Sequence, residues 1–229
     1  MPGWDDCDVV GLLGSQFGVP VQVDNDANLL ALGERSMCYP DVDDLIYVKV
    51  ATGVGAGIFS GGRLVRGADG SAGDFGHVYS PAADQVPCRC GNIGCLEAFA
   101  GGLAMAKRLS AHGHGVSDAP GVAELAKAGN LEAVRELREA GLAIGAVLAT
   151  CVAILNPRVI AVGGEISAAH GALVNGVREA IYRRTTPLAG ERLRIELARS
   201  GALGGAIGAA QLVLDTVFAK SAIDARFAE

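Results

Sequence analysis

Aromatic residues are scarce in this chain: they make up 5% of its 229 residues, and only one of them is Trp. Hydrophobic residues as a whole still reach 50%, so the core is predicted to be large and mainly aliphatic. Glycine accounts for 33 residues without a collagen-like period or a Gly/Ser tract. This excludes a fibrous or low-complexity chain and assigns the glycines to turns and close contacts of a folded one.

Positive charge is also in short supply, with 19 Lys and Arg against 25 Asp and Glu and a net charge of −6. The densest basic stretch, residues 182–194, contains only scattered arginines. A surface of this kind does not attract a polyanion, which argues against direct binding of DNA by this chain.

No apolar run reaches the ~20 residues that a membrane-spanning helix needs. The most apolar window, residues 141–155, is shorter and carries two glycines, so it is predicted to be a buried helix. No signal peptide is recognisable in the first residues, MPGWDDCDVV. We therefore expect a cytoplasmic protein without a membrane partner.

Strand-like and helix-like segments alternate along the chain without a linker or a repeat, which predicts an α/β fold. Strands are predicted at 19–23, 45–50 and 159–162. The glycine-rich stretch after residue 50 is predicted to turn into a second strand that forms a hairpin with 45–50. Helices are predicted at 11–18, 24–37, 96–109, 122–127, 131–155, 168–184 and 202–218.

One imidazole and three thiols occur together in a short stretch of the chain, at His77, Cys88, Cys90 and Cys95. In structural sites Zn²⁺ takes four nitrogen and sulfur ligands of this kind in a tetrahedron. Gly91 and Gly94 supply the turns that bring the sulfurs together. The spacing therefore predicts a structural zinc site in which the ion fixes the loop 77–95.

Two other states of these cysteines remain open, a disulfide or free thiols. Cys88 and Cys90 are too close in sequence to pair with each other easily. The remaining cysteines are interpreted as ordinary buried thiols: Cys7, Cys38 and Cys151.

The segment VDNDANLLALGE, residues 23–34, places Asn25, Asp26 and Asn28 where a predicted buried strand meets the start of a helix. A carboxylate in that position can accept the proton of a substrate hydroxyl while a neighbouring amide binds an adjacent hydroxyl, as sugar phosphorylation requires. Helix capping by Asp24 or Asn25 is the alternative, but capping accounts for one such residue and not for three.

Taken together, these motifs resemble the ROK family of sugar-responsive repressors and sugar kinases, over essentially the whole chain. The residues that carry the resemblance occur in family order: the run VDNDAN, the glycines Gly53, Gly55 and Gly57, the stretch GDFGH that ends at His77, and CRCGNIGCLE that ends at Glu97. The resemblance implies an α/β fold of the actin-like ATPase (ribonuclease H-like) type. Residues 1–24 would be a remnant of the N-terminal lobe, 25–204 the C-terminal lobe with the zinc loop, and 205–229 a helix that returns to the N-terminal lobe.

The same resemblance implies roles for residues of a sugar site. Asn25 and Asp26 match the family's sugar-contacting amide and its catalytic base. His77 matches a residue that binds both zinc and sugar, and Glu97 matches a second sugar-binding carboxylate. Asp74 stands where family kinases usually carry Glu, so a sugar contact there would come from a side chain that is one methylene shorter.

Two glycine-rich turns match the family's nucleotide site. Thr52, Gly53 and Gly55 match a phosphate-contacting turn, and Gly163 and Gly164 match glycines that contact adenosine. Backbone N–H groups in such turns can approach phosphate because no Cβ intervenes. The family's other phosphate motif, an acidic strand followed by Gly-Gly-Thr, does not occur in the sequence. ATP with Mg²⁺ is therefore expected only if the protein is a kinase.

The resemblance implies the effector-binding part of a transcriptional repressor, which would bind a sugar or sugar phosphate and reach DNA only through an N-terminal module missing from this chain. Asp74 and the stretch AGDFGH resemble the regulator branch of the family, which favours this regulator over the alternative, an ATP-dependent hexose kinase of the glucokinase type with Asp26 as its base. Family members commonly form homodimers or homotetramers, and we expect the same here.

Overall fold

The computed structural model describes residues 7–167 and 171–227. Predictions that concern residues 1–6, 168–170 and 228–229 lie outside the described residues, and they include the first positions of the helix predicted at 168–184. Within the described residues, helices and strands follow one another along the chain, as the sequence predicts for an α/β protein.

A mixed five-stranded sheet organises the structure. Its strands are β1 (Leu45–Val50), β2 (Val54–Ser60), β3 (Arg63–Val65), β4 (Val159–Gly163) and β5 (Arg194–Leu197), in the spatial order β3-β2-β1-β4-β5. The first three strands pair antiparallel, which confirms the predicted hairpin, whereas β4 pairs parallel with β1, and β5 parallel with β4. Parallel pairing needs long crossovers, and helices supply them here.

Helices cover both faces of this sheet. They are α1 (Val9–Phe17), α2 (Asp26–Cys38), α3 (Glu97–Ala100), α4 (Gly102–Ala111), α5 (Ala119–Lys127), α6 (Leu131–Leu155), α7 (Ala172–Arg184), α8 (Pro187–Gly190), α9 (Gly204–Val217) and α10 (Lys220–Phe227). On one face, Ile46 and Val48 of β1 belong to a large core with α4, α6 and α7. On the other face, Leu45 and Tyr47 pack with α2, since side chains alternate along a strand.

The helix α6 has the bounds that the sequence predicts, 131–155, and ten of its residues are buried. It is the one helix among the described residues whose length and mean hydropathy would suffice to cross a membrane, and half of its most apolar window is buried in the protein. Gly141 and Gly145 let α6 approach α7 closely, because a Cβ on either would press on the backbone of α7. These contacts identify α6 as a core helix of the fold. The predicted burial of 141–155 is confirmed for one face of the helix, whereas Ile154 is 74% exposed.

The strand predicted at 19–23 is wrong. This segment forms no strand among the described residues, and Val19 and Val23 are 54% and 60% exposed. A short apolar run does not by itself distinguish a strand from an extended connection. Here it connects α1, which ends at a left-handed Gly18, to the start of α2.

Two smaller predictions also need correction, and one strand was missed. The helix predicted at 96–109 is divided by Gly101, whose extended backbone (φ −71°, ψ 149°) ends α3 and precedes α4. The strand β5 was not predicted, because its residues RIEL alternate charged and apolar side chains over only four positions. Cys7 is exposed, so its interpretation as a buried thiol is wrong, whereas Cys38 and Cys151 are half-buried.

Candidate functional site

The four predicted metal ligands converge. One ligand atom from each of His77, Cys88, Cys90 and Cys95 lies within 4.8 Å of all the others. The Sγ of Cys88 is 3.6 Å from Nδ1 of His77, and the Sγ atoms of Cys90 and Cys95 are also 3.6 Å apart. A zinc ion with Zn–S of about 2.3 Å and Zn–N of about 2.0 Å gives tetrahedral edges of about 3.5 to 3.8 Å. The donor set and its spacing therefore fit a tetrahedral metal ion.

The backbone of this loop explains why the sulfurs meet. Two antiparallel bridges, Tyr79 with Cys95 and Pro87 with Ile93, fold the segment back on itself. At the tip, the N–H of Cys88 donates to the Asn92 oxygen at 2.8 Å. Near the thiols, residues 91 and 94 have positive φ, 95° and 84°, and both are glycine; Gln85, farther along the loop, also has a positive φ of 61°. A side chain at residue 91 or 94 would strain the turn that presents the thiols.

The thiols of this cluster have unlike environments. The backbone N–H of Asn92 lowers the pKa of Cys90, whereas burial raises the pKa of Cys95 to about 12. All three sulfurs are free thiols, because a sulfur separation of 3.6 Å exceeds the disulfide bond length of about 2.05 Å. A metal ion that binds here has to displace the Cys95 proton.

His77 links the metal cluster to Asp74. While Nδ1 of the ring faces Cys88, Nε2 lies 3.7 Å from Oδ1 of Asp74. A carboxylate on the far nitrogen of a metal-binding histidine orients the ring and fixes its tautomer. Asp74 is therefore in position to support the cluster, in addition to the sugar contact predicted for it.

Glu97 lies at the start of α3, immediately after the metal loop. Its Oε2 accepts a hydrogen bond from the Val54 N–H at 3.0 Å, in the turn between β1 and β2. Gly53 makes this contact feasible, because a Cβ at that position would overlap the Glu97 carboxylate. The predicted glycine turn and the predicted sugar-binding carboxylate are thus in direct contact.

The N-terminus of α2 is built by a network of polar groups. Asn25 is the N-cap, and its Oδ1 accepts from the Ala27 N–H at 2.9 Å, so helix capping accounts for this residue. Oδ1 of Asp24 accepts from the Asn25 N–H and from the buried Asn28 amide, while its Oδ2 accepts from Nε of Arg66 at 2.9 Å. Asp24, considered in the sequence as a possible helix cap, instead holds Asn28 and Arg66, and Arg66 is a supporting residue that the sequence reasoning did not identify.

Asp26, the predicted base, forms an ion pair with Lys49 of β1. The Lys49 side chain is 28% exposed and that of Asp26 is 68% exposed. Sequence reasoning missed Lys49, although a single lysine within the apolar strand LIYVKV was a usable signal. A buried strand rarely carries a charge unless the charge has a partner or a ligand.

Two pockets contain part of the predicted ligand-contacting residues, but Asp26, His77 and Glu97 of the predicted sugar site line neither of them. A pocket of about 260 Å³ is lined by Asn25, Gly55, Ala56, Gly73, Asp74 and the stretch 69–72. A cleft of about 510 Å³ is lined by Lys49, Thr52, Gly163, Gly164, Glu165 and Ser167, together with residues of the 197–202 turn. The prediction grouped Gly55 with Thr52, but the two residues line different pockets. A groove of about 900 Å³ along α2 and α9 contains none of the predicted site residues.

Packing alone requires glycine at the two adjacent positions 163 and 164, which line the 510 Å³ cleft. Gly164 has φ of 97°, and a Cβ there would overlap the backbone of Val50. A Cβ on Gly163 would overlap the hydroxyl of Tyr47. These two glycines are therefore needed for strand packing whether or not a nucleotide binds.

Comparison with known sequences gives one family. A sequence profile described as the ROK family matches residues 1–216. A xylose repressor of Caldicellulosiruptor bescii is 34% identical over 212 residues, which cover 86% of this chain and 52% of that protein. The chain spans about half the length of the curated repressors it matches.

Two solved structures, one of a glucokinase and one of a transcriptional regulator, resemble this one. The ROK family glucokinase of Streptomyces griseus, solved with glucose and AMPPNP, has a TM-score of 0.76 at 29% identity, covering 89% of this chain and 71% of that one. A ROK family transcriptional regulator, a homologue of the E. coli MLC protein, has a TM-score of 0.73 at 27% identity, covering 89% and 55%. The predicted α/β, actin-like ATPase fold is confirmed by these likenesses.

Proposed function

The chain belongs to the ROK family, and on that premise we propose that it forms the sugar-binding effector part of a ROK transcriptional repressor. Its net charge of −6 fits a part that binds a small molecule and leaves DNA to another module of the repressor. Relatives named as xylose repressors match most of the chain, as does a relative named as a glucokinase, so the family matches fit both a repressor and a kinase.

The ion pair between Asp26 and Lys49 is the observation that carries this proposal. The pair leaves the other carboxylate oxygen of Asp26 free for a sugar hydroxyl, so sugar binding is compatible with it. A kinase would need the positive charge of Lys49 on the transferred phosphoryl group, whereas here that charge is neutralised by Asp26. Sugar binding alone requires no such rearrangement.

The polar groups of the smaller pocket support a monosaccharide as the effector. Asn25 and Asp74 offer an amide and a carboxylate to a pocket of about 260 Å³. This is below the range of ~300–1,000 Å³ that is usual for drug-sized ligands, as suits a single sugar ring. The Oδ1 of Asn25 accepts the hydrogen bond of the helix cap, so its amide N–H groups are available to donate to a sugar hydroxyl.

The metal in this proposal is zinc, held by the four residues of the cluster. When bound it supplies a cross-link between the two halves of the loop and no chemical step. The protein's own contribution is orientation: His77 is fixed between Cys88 and Asp74, and Cys95 fixes the start of α3, where Glu97 lies. We propose that Glu97 and His77 contact the sugar from this side.

An ATP-dependent hexose kinase of the glucokinase type is the second candidate. The cleft of about 510 Å³, with Thr52, Gly163 and Gly164 in its lining, favours it, because a cleft of this kind suits a nucleotide. In that case Asp26 would act as the base, after Lys49 moves onto the transferred phosphoryl group.

Calorimetric titration with glucose, xylose, mannose and N-acetylglucosamine tests the proposal, alongside a coupled assay of ATP consumption with the same sugars. Binding of at least one sugar without sugar-dependent ATP consumption is the expected result. Sugar-dependent turnover would replace the repressor assignment with the kinase. The absence of any sugar binding would refute both.

We also propose that residues 25–204 form the C-terminal lobe of the family fold, with 1–24 and 205–229 belonging to the N-terminal lobe, and that the protein acts in the cytoplasm. A homodimer or homotetramer is proposed as its assembly. Apolar side chains exposed on and near α9 and α10, such as Leu214, Phe218 and Phe227, support pairing with another surface.

A further inference from the structure

Cys90 and Cys95 contact each other within the metal cluster. Their Sγ atoms are 3.6 Å apart, while the Sγ of Cys88 lies against Nδ1 of His77. The three thiols differ in exposure, because Cys90 is exposed, Cys88 is half-buried and Cys95 is buried. A small oxidant in solution therefore reaches the sulfur of Cys90 most easily, and a second thiol is in contact with that sulfur.

The backbone allows these two sulfurs to join with little movement. Cys95 is held by its bridge to Tyr79 and is 1% exposed. Cys90 precedes Gly91, where an added Cβ would meet no atom within 4 Å, so the tip of the loop has room to shift. A disulfide requires the sulfurs to close from 3.6 Å to about 2.05 Å, a displacement of about 1.5 Å at an exposed side chain.

Cys88 is the poorer partner for Cys90. Only one residue separates the two, which is too short a link for ordinary disulfide geometry. The backbone oxygen of Cys88 also accepts from the Gly91 N–H at 3.1 Å, in a turn that such a bond would distort. Four residues separate Cys90 from Cys95, and Gly91 and Gly94 among them have positive φ, so this longer segment already folds back on itself.

We infer that Cys90 is a site of reversible oxidation, with Cys95 as its resolving thiol and hydrogen peroxide as the oxidant. The Cys90 thiolate attacks one peroxide oxygen, the O–O bond breaks, hydroxide leaves and a sulfenic acid forms. The Cys95 thiolate then attacks the Cys90 sulfur, so the S–S bond forms and the S–O bond breaks with loss of a second hydroxide. The two thiolates together give two electrons to the peroxide, and a dithiol reductant reverses the reaction.

The disulfide takes away two of the four zinc ligands. His77 and Cys88 remain, but a structural zinc ion needs four ligands, so the chain loses its affinity for the metal. Cys95 also lies two residues before Glu97, whose carboxylate accepts from the Val54 N–H at 3.0 Å. Oxidation therefore removes the support of both His77 and Glu97. A weaker sugar site is the consequence, and this last step rests on the proposed function.

Peroxide treatment of the zinc-loaded chain tests the inference through the disulfide itself. After alkylation of the free thiols, trypsin separates Cys88, in peptide 67–89, from Cys90 and Cys95, which share peptide 90–107. We expect the mass of peptide 90–107 to fall by two hydrogens without alkylation, while peptide 67–89 is alkylated. A chromophoric chelator should detect about one zinc ion released per chain at the same dose. Dithiothreitol should restore both thiols and zinc binding.

Two ligand variants form a matched pair, because each lacks one zinc ligand. Cys88→Ser keeps both members of the proposed pair and should still form the disulfide within peptide 90–107. Cys90→Ser should leave Cys95 reduced at the peroxide dose that oxidises the wild type completely. Cys7→Ser removes an exposed thiol outside the cluster and should match the wild type in both disulfide and zinc release.

Several results would overturn the inference. They are a disulfide that joins the two peptides, a sulfinic acid at Cys90 without a disulfide, and oxidation of Cys95 in Cys90→Ser at the same dose. Zinc that stays bound while the disulfide forms would also overturn it.

Titration calorimetry with the reduced and the oxidised chain tests the effect on the sugar site. The dissociation constant of a bound sugar is expected to rise roughly tenfold or more on oxidation, as the loss of one hydrogen bond to a charged group would cause. Equal affinity in the two forms would overturn this consequence. If the reduced chain binds no sugar, the proposed function fails, whereas the peptide masses and the zinc release still decide whether Cys90 is an oxidation site.

Discussion

The carboxylate of Glu34 on α2 accepts a hydrogen bond from the backbone N–H of Ser200 at 2.8 Å, in the turn that leads into α9. It also accepts from the N–H of Arg199, at 2.9 and 3.1 Å to its two oxygens. Glu34 is 0% exposed, so these bonds take the place of water. Since α2 begins beside Asn25, which lines the smaller pocket, and the turn lines the larger cleft, Glu34 ties the two halves of the candidate site together.

Replacement of Glu34 by Gln is expected to destabilise the protein. The amide has nearly the same shape, but it removes the charge and turns an NH₂ group toward backbone N–H donors. We expect the free energy of unfolding to fall by about 1.5–3 kcal/mol, the usual contribution of hydrogen bonds to a charged group. Urea denaturation measures this, with Glu139→Gln on the exposed side of α6 as the control. A loss no larger than that of the control would contradict the role given to Glu34.

Tyr47 should make stability depend on pH in the alkaline range. Burial raises its pKa from 10.0 to about 12, and the negative charge of Glu34 adds to this effect. The folded state therefore holds the phenolic proton more tightly than the unfolded state. This contribution is complete below pH 10 and is lost as the pH rises from about 10 to about 12.

Tyr47→Phe tests the point, because phenylalanine cannot ionise. Its free energy of unfolding is expected to decline less than that of the wild type between pH 9 and pH 11.5, measured by urea denaturation. Burial also raises the pKa of Tyr39 to about 12. The free energy of unfolding of the variant will therefore still decline in part over this pH range. Tyr182→Phe, at a half-exposed position, is the control, and an equal slope in both variants would argue against Tyr47.

The cysteine cluster predicts loss of metal on a single substitution. Cys90→Ser should lower the zinc content from about one ion per chain to near zero, because a serine hydroxyl is a poor ligand in a thiolate site. The melting temperature and the sugar affinity should fall with it, since the loop holds His77 and leads directly into α3. Elemental analysis of chelator-free preparations gives the zinc content, with Cys7→Ser, outside the cluster, as control. Unchanged zinc in Cys90→Ser would remove Cys90 from the ligand set.

Asp74 gives a separate test, because it touches the cluster only through His77. Asp74→Ala should weaken zinc affinity by roughly tenfold to a hundredfold while the four ligands remain, as is usual when the outer partner of a metal-binding histidine is removed. Competition with a chromophoric chelator measures this. Asp69→Ala is the matched control, since Asp69 lines the same pocket without a contact to His77. Equal zinc affinities in the two variants would leave Asp74 with a sugar contact alone.

Sequence reasoning succeeded where one local pattern decided the structure. The strand Leu45–Val50 and the helix Leu131–Leu155 have the bounds predicted for them, because a continuous apolar run and a long helical period are unambiguous at those lengths. The metal cluster was predictable for a similar reason: its ligands lie close in sequence, and the glycines of the turns are visible in the same stretch.

The contacts that it missed join distant segments. Lys49 and Asp26 are 23 positions apart, and Glu34 and Ser200 are 166 apart, so neither pairing follows from local sequence, although Lys49 itself stands out in its strand. The wrong strand at 19–23 has the opposite cause: its local pattern was strand-like, but no neighbouring strand was available among the described residues to complete it. Both kinds of error arise because pairing between distant segments, which the local sequence does not show, determines the structure.

The role of Asp26 separates binding from catalysis most directly. In Asp26→Asn the side chain still hydrogen-bonds a sugar hydroxyl but cannot accept a proton, and it no longer pairs with Lys49 as a charge. Sugar binding should therefore persist, with a dissociation constant within about tenfold of the wild type. Any sugar-dependent ATP consumption seen in the wild type should drop by roughly 10²- to 10⁴-fold, the usual contribution of a general base. Titration calorimetry and the coupled assay on the same preparation measure the two quantities, and turnover that survives the substitution would show that another group accepts the proton.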